Sequence, residues 1–179
     1  LMFADGVVQP LLYGMCDSLQ PAVGYNWGAQ KYSRVRAIEK CCFAASAVVS
    51  LLAVAVIALF PEQITNLFVA DADAEFLRIS VWALQLFSLT YITRWFSFAT
   101  QSYMLAVEKP LPASLISVGT ALVFPVLLIA VLWPLGLTGI WLNFAGTALL
   151  AAILSLIILR KARRELNKPD VETPAVEQN

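Results

Sequence analysis

The chain is 179 residues long, with 60% apolar residues, only 13% charged residues and a mean hydropathy of +0.76. So little polar surface excludes a water-soluble globular domain of this size and places the chain in a bilayer. Twelve basic residues balance twelve acidic ones, so net charge points to no nucleic-acid partner, and any charge signal lies in placement.

A helix crossing the hydrocarbon needs about 20 mostly apolar residues, and five stretches qualify: 2–25, 41–60, 79–106, 112–133 and 138–159. Leu1 already lies in apolar sequence, with no initiator methionine, basic leader or cleavage site, so the chain reads as the carboxy-terminal part of a longer protein rather than as one opening on a signal peptide. The first span contains Pro10 and Pro21. Each removes a backbone donor and crowds the carbonyl one turn back, which predicts a bend or loosening. The second span carries no charge and is closed by Pro61 and Glu62. After it, "PEQITNLFVADADAEF" is a short amphipathic piece predicted to rest at the interface with Ile64, Leu67 and Phe68 facing inward. Residues 111–159 are again free of charge and too long for one crossing at 1.5 Å per residue. Within them "WPLGLTG" supplies the Pro and Gly of a tight turn, which predicts a membrane hairpin. The tail, 160–179, begins basic and becomes a polar, Pro-containing segment of disordered composition after Asn167. Cys16, Cys41 and Cys42 sit in apolar or boundary sequence and read as small buried hydrophobes, not as a disulfide framework or a metal site.

Five spans place alternate connections on opposite sides, and the basic residues obey that alternation. Lys31, Arg34, Arg36 and Lys40 follow the first span, Lys109 the third, and Arg160, Lys161, Arg163, Arg164 and Lys168 the fifth. The even connections hold Glu62, Asp71, Asp73 and Glu75 with only Arg78 against them. By the positive-inside rule the odd connections and the carboxy-terminus are cytoplasmic.

Polar residues inside the spans fall on helical faces. Asp5, Gln9, Tyr13, Asp17, Gln20 and Gly24 are spaced by three or four along the first span and form one polar stripe. In the third span Thr90, Arg94, Ser97 and Gln101 form another, beside an aromatic stripe of Phe87, Tyr91, Trp95 and Phe98. An Arg deep in the bilayer requires a carboxylate, carbonyls or a water-filled cavity, and Asp17 is the partner this reading assigns to it. Two interpretations stay open for each feature. The stripes line a cavity, or they are packing and interhelical hydrogen bonds; Asp5 faces that cavity, or it merely caps a helix start.

The segment "LQPAVGYNWGAQKYSRVR", residues 19–36, resembles the signature of the multidrug and toxic compound extrusion (MATE) family, in which a Gln-Pro pair precedes a Gly-Tyr-Asn-aromatic-Gly-Ala segment and a basic loop. "MLAVEKPLPASLIS" is similar to that family's third-last span with its Lys-Pro turn, and "WPLGLTGIWLNFAG" to the start of its last span. The resemblance implies an all-α integral membrane fold whose five transmembrane helices form most of one six-helix lobe of a twelve-helix transporter, with one helix and the entire amino-terminal lobe missing. It implies an antiporter of the bacterial cytoplasmic membrane that expels small organic, often cationic, compounds in exchange for H+ or Na+, with alternating access between two lobes and no cofactor beyond the coupling ion.

On that reading the substrate or ion cavity is lined by Asp5, Gln9, Tyr13, Asp17, Gln20, Tyr91, Arg94, Trp95, Ser97, Phe98 and Gln101. Pro21, Gly24, Tyr25, Asn26 and Gly28 form the structural motif, the glycines loosening a helix end. The third span departs from sodium-coupled members, which carry a carboxylate there; this one has Arg94 and no acid between Val81 and Val107, so the reading leans to protons. A lipid or lipid-linked oligosaccharide flippase of the same superfamily and a non-transporting membrane subunit are the alternatives. The chain has no histidine and no constellation of nucleophile, base or metal ligands, so an enzyme is not expected.

Overall fold

The computed structural model describes residues 2–68 and 74–166. Among them the regular structure is entirely helical: α1 (Met2–Asp17), α2 (Leu19–Gly28), α3 (Tyr32–Leu59), α4 (Pro61–Phe68), α5 (Ala74–Ala106), α6 (Pro110–Val118), α7 (Phe124–Leu132) and α8 (Gly136–Leu166). They build the five crossings of an all-α membrane lobe: α1 with α2, α3, α5, α6 with α7, and α8. The carboxy-terminal tail from residue 167 onward, Asp71 and Asp73 lie outside the described residues.

Prolines account for the interruptions. Pro21 has no N–H for the carbonyl of Asp17 and crowds it, and the first span is broken at Ser18. There the Ser18 N–H donates to the Gly14 carbonyl at 3.0 Å, and its Oγ donates to the Met15 carbonyl at 2.7 Å. Pro10, by contrast, lies inside α1 without ending it. In the fourth span Pro125 would crowd the carbonyl of Ala121, and the helix widens into one π turn over Gly119–Val123, with the Phe124 N–H donating to the carbonyl of Gly119. Gly119 leaves room for the Phe124 ring at that turn, where a Cβ would lie 3.0 Å from the ring and require it to shift.

The hairpin turn forms at Trp133–Leu135, as the sequence predicts. Gly136 takes a left-handed φ of +57°, and a Cβ on Gly139 would lie 2.3 Å from the carbonyl oxygen of Leu132. The first connection is much shorter than the run of basic residues suggests, since α3 begins at Tyr32 and carries Arg34, Arg36 and Lys40 on its opening turns. Its left-handed residue is Gln30, at φ +57°, rather than a glycine. The N–H groups of Gln30 and Lys31 turn back to the carbonyls of Trp27 and Asn26. The same double closure recurs after α5, where Glu108 at φ +59° and Lys109 bond back to Leu105 and Met104. Both are Schellman closures.

Contacts fix the directions of α1, α3 and α8 relative to α5. Asp5 meets Arg94 and Asp17 meets Ser102, so α1 runs parallel to α5. Phe43 lies against Trp95 while Ser50 bonds the Tyr91 carbonyl, so α3 runs antiparallel. Phe144 meets Phe87 near the start of α5, and Leu159 joins Tyr103 near its end, so α8 is parallel. The core forms two clusters stacked along α5: Leu12, Cys16, Ile57 and Tyr91 at one level, and Val23, Val35, Met104 and Leu159 at the other. Glu39 on α3 pairs with Arg163 on α8, which brings the basic start of α3 and the basic end of α8 to one end of the lobe. In α4, Ile64 packs inward against the first of these clusters and Thr65 is buried, whereas Leu67 is 79% exposed. The inward face of that piece is therefore rotated from the expected one, because Thr65 satisfies its hydroxyl on the Pro61 carbonyl at 2.9 Å and can be buried.

Two substitutions test these turns in opposite directions. Glu108→Gly relieves a left-handed non-glycine residue and is expected to stabilise the protein by about 0.5 kcal/mol, read as a raised thermal midpoint in detergent. Gly139→Ala drives a methyl into the Leu132 carbonyl and is expected to destabilise it by about 2 kcal/mol.

Candidate functional site

The polar stripe of α1 and the mixed stripe of α5 close on each other along a parallel seam. Asp5 Oδ1 accepts from Arg94 Nη1 at 3.1 Å and from the Tyr91 hydroxyl at 2.7 Å. One turn on, the Gln9 amide, oriented to satisfy both neighbours, donates to Asp5 Oδ2 at 2.6 Å and accepts from Arg94 Nη2 at 3.3 Å. One turn further, Tyr13 stacks on Phe98 with ring centroids 4.2 Å apart, while the Arg94 guanidinium lies 5.4 Å from the centre of the same Phe98 ring. The Arg94 and Asp5 side chains are 18% and 23% exposed, so the pair is largely shielded.

Arg94 therefore pairs with Asp5 and not with Asp17. Asp17 lies near the other end of the seam, where it accepts from the Ser102 hydroxyl at 2.8 Å and from the Gln20 amide at 2.9 Å. Ser102 is eight residues beyond Arg94, about 12 Å along the helix, which puts the two out of reach in a parallel pairing.

Beyond Arg94 the seam opens on a cavity of about 180 Å³ between α5, α7 and α8. Thr90, Ser97, Thr120, Asn143 and Thr147 contribute polar groups to its wall, and Phe98 and Phe144 contribute rings. The hydroxyls of Thr90 and Ser97 are buried without a protein partner. A polar-lined space of this size accommodates water, which can satisfy them. The Thr147 hydroxyl and the Asn143 amide oxygen lie 3.5 Å apart. Among the described residues no group of His, Cys, Asp or Glu has the arrangement of a metal site.

Of the residues singled out from sequence, the structure brings together Asp5, Gln9, Tyr13, Tyr91, Arg94 and Phe98 at the seam, with Ser97 in the adjoining cavity. Asp17 and Gln20 form the separate group described above. Trp95 turns to α3, edge-on to Phe43 and Phe96, with its indole N–H on the Ile92 carbonyl at 2.9 Å. Gln101 is half-buried one turn beyond Ser97. In the structural motif, Tyr25 is 76% exposed, the Asn26 amide donates to the Ala22 carbonyl at 2.8 Å, and a Cβ on Gly24 would make only an ordinary contact, 3.7 Å, with the Ala106 carbonyl oxygen. Thr120, Asn143 and Thr147 escaped the sequence reading. Asn143 and Thr147 are four apart and continue to Ala151 and Ser155, so the stripe test applied to the last span would have found them; Thr120 sits on the π turn, where helical spacing fails.

A charged, polar seam inside a lobe of five apolar spans defines the chain as part of a polytopic membrane protein with a polar interior. It belongs to the MatE family, whose model matches residues 1–131. No curated protein matches the chain. Among solved structures it is similar to an outward-facing conformation of a multidrug resistance MATE family transporter of the MOP superfamily, at 19% identity and TM-score 0.83, over 93% of this chain and 38% of that one. An inward-facing conformation of such a transporter gives 18% identity and TM-score 0.84, over 95% and 40%. The MATE multidrug transporter DinF-BH in complex with R6G gives 26% identity and TM-score 0.84, over 93% and 37%. The chain thus spans about two-fifths of the length of these proteins.

Thiol labelling tests the cavity. In a background with Cys16, Cys41 and Cys42 changed to Ser, Ser97→Cys is expected to react with a small water-soluble methanethiosulfonate, and Leu89→Cys, on the outward apolar face, is expected not to. Equal protection of both positions contradicts a hydrated seam.

Proposed function

We propose that the chain is the carboxy-terminal lobe of a secondary antiporter in the bacterial cytoplasmic membrane, which exports small organic, often cationic, compounds in exchange for protons. The observation that carries this reading is the Asp5–Gln9–Arg94–Tyr91 network at the edge of a polar cavity. Its partner is a second lobe, and its carboxy-terminus is cytoplasmic by the distribution of basic residues. The similarity to an outward-facing and an inward-facing relative is nearly equal, TM-score 0.83 and 0.84, which supports a lobe that turns as a body while access alternates.

The network gives the exchange a physical route. Ionised Asp5 neutralises Arg94 beside the Phe98 and Tyr13 rings, so an organic cation can meet that aromatic surface without facing a net positive charge. Protonation of Asp5 removes the charge that holds Arg94, while the arginine keeps its own proton. The seam then carries an uncompensated positive charge that repels an organic cation from the ring, so drug and proton occupy the site in alternation. Protons are favoured over sodium because Arg94 already fills the position beside the carboxylate that a sodium ion would need.

Transport in proteoliposomes of the intact protein, with proton and sodium gradients imposed separately, tests the reading. Export driven by the proton gradient, reduced at least tenfold in Asp5→Asn with normal expression, is the expected result. Sodium-driven export that survives Asp5→Asn overturns the coupling. No export under either gradient favours a non-transporting subunit.

A further inference from the structure

A second and larger cavity, about 540 Å³, lies at the basic end of the lobe, away from the seam. Its wall is divided by chemistry. Trp27, Tyr32 and Tyr103 supply an aromatic side, with Trp27 and Tyr32 edge to face at 5.2 Å. Arg36, Lys40, Arg163 and Arg164 supply the other side, with one carboxylate among the described residues, Glu39. That carboxylate is only 3% exposed and accepts from Arg163 Nε at 3.2 Å and Nη2 at 2.5 Å. It neutralises one guanidinium and ties α8 to α3, and Lys40 and Arg164 add further basic groups to the rim.

The depth of this cleft in the bilayer follows from the sequence. The charge-free stretch of the second span starts at Cys41, next to Lys40, and that of the last span ends at Leu159, next to Arg160. The cavity therefore sits where the hydrocarbon ends and the headgroups begin, with Trp and Tyr at the level where interfacial aromatics are enriched. Basic pockets between spans at that level match phosphate-bearing headgroups, and the volume falls in the range of small-ligand sites.

We propose that this cleft binds the headgroup of an anionic phospholipid of the inner leaflet, with Lys40 and Arg164 on the phosphate, Arg36 adding to the local positive field, and the aromatic wall against the glycerol and first methylenes. Arg163 is a positioning residue, held by Glu39. A lipid seated there ties α2, α3, α5 and α8 at one end of the lobe and is expected to stabilise it.

The test is thermal unfolding of the intact protein in neutral detergent, titrated with dioleoyl phosphatidylglycerol, dioleoyl phosphatidylcholine or inorganic phosphate. Phosphatidylglycerol alone is expected to raise the midpoint. The triple variant Arg36→Ala, Lys40→Ala, Arg164→Ala is expected to weaken the apparent affinity on the order of 100-fold, at roughly a factor of ten or less per basic residue. A control, Arg160→Ala with Lys161→Ala, removes nearby charge outside the cleft and should leave the response unchanged. Should the triple variant fold poorly, the single exposed change Arg164→Glu serves, with a loss of tenfold or more. Equal stabilisation by phosphatidylcholine overturns the proposal, as does an unaltered response in the cleft variants or an equal loss in the control. Inorganic phosphate reproducing the shift shows a free-anion site and overturns the lipid assignment.

Discussion

An arginine inside an apolar span must find a counter-group, and that requirement organises this lobe. Left alone at mid-membrane it costs about 3 kcal/mol on insertion scales. Arg94 is met by the Asp5 carboxylate, the Gln9 amide and the face of Phe98. Neighbouring Tyr91 ties the same turn of α5 to two helices, its hydroxyl donating to Asp5 on α1 and its carbonyl accepting from Ser50 on α3. The polar contacts that make the seam chemically interesting are thus also those that dock the first two spans onto the third.

In lipid no hydrophobic difference drives helices together, so close packing and polar bonds have to do it. The lobe shows both. Val126, Leu127 and Val131 of α7 and Leu51, Leu52 and Val56 of α3 are exposed, so little apolar packing within the lobe engages them. Small residues lie where helices approach: Ala99 and Ala151 are fully buried, and a Cβ on Gly146 would lie 2.9 Å from Leu128. The polar-walled cavity is built where that close packing is interrupted, beside the π turn forced by Pro125.

Much of this was legible in the sequence. Long apolar windows locate the five spans, since nothing else satisfies the backbone in a bilayer. "WPLGLTG" marks the hairpin, and helical spacing identifies the two faces that meet at the seam. What periodicity cannot supply is axial register between helices not joined by a short turn. Asp5 and Asp17 lie on one stripe, about 18 Å apart along the axis. The first and third spans are parallel and separated by an intervening span, so no turn sets their offset; only tertiary packing selects Asp5 for Arg94 and leaves Asp17 to Ser102 and Gln20. The left-handed Gln30 and Glu108 were hidden for a related reason, because Schellman closure favours glycine without requiring it. The anionic-lipid cleft needed the fold as well, since Glu39 and Arg163 lie 124 residues apart in the chain.

The central claim is that Arg94 is held by Asp5 at this seam. A double-mutant cycle with Asp5→Asn and Arg94→Gln, read by reversible unfolding in detergent, measures it directly. The account predicts a coupling of about 1–2 kcal/mol between these two positions and less than about 0.5 kcal/mol between Asp17→Asn and Arg94→Gln. Negligible coupling of Asp5 to Arg94, or a larger coupling of Arg94 to Asp17, contradicts it.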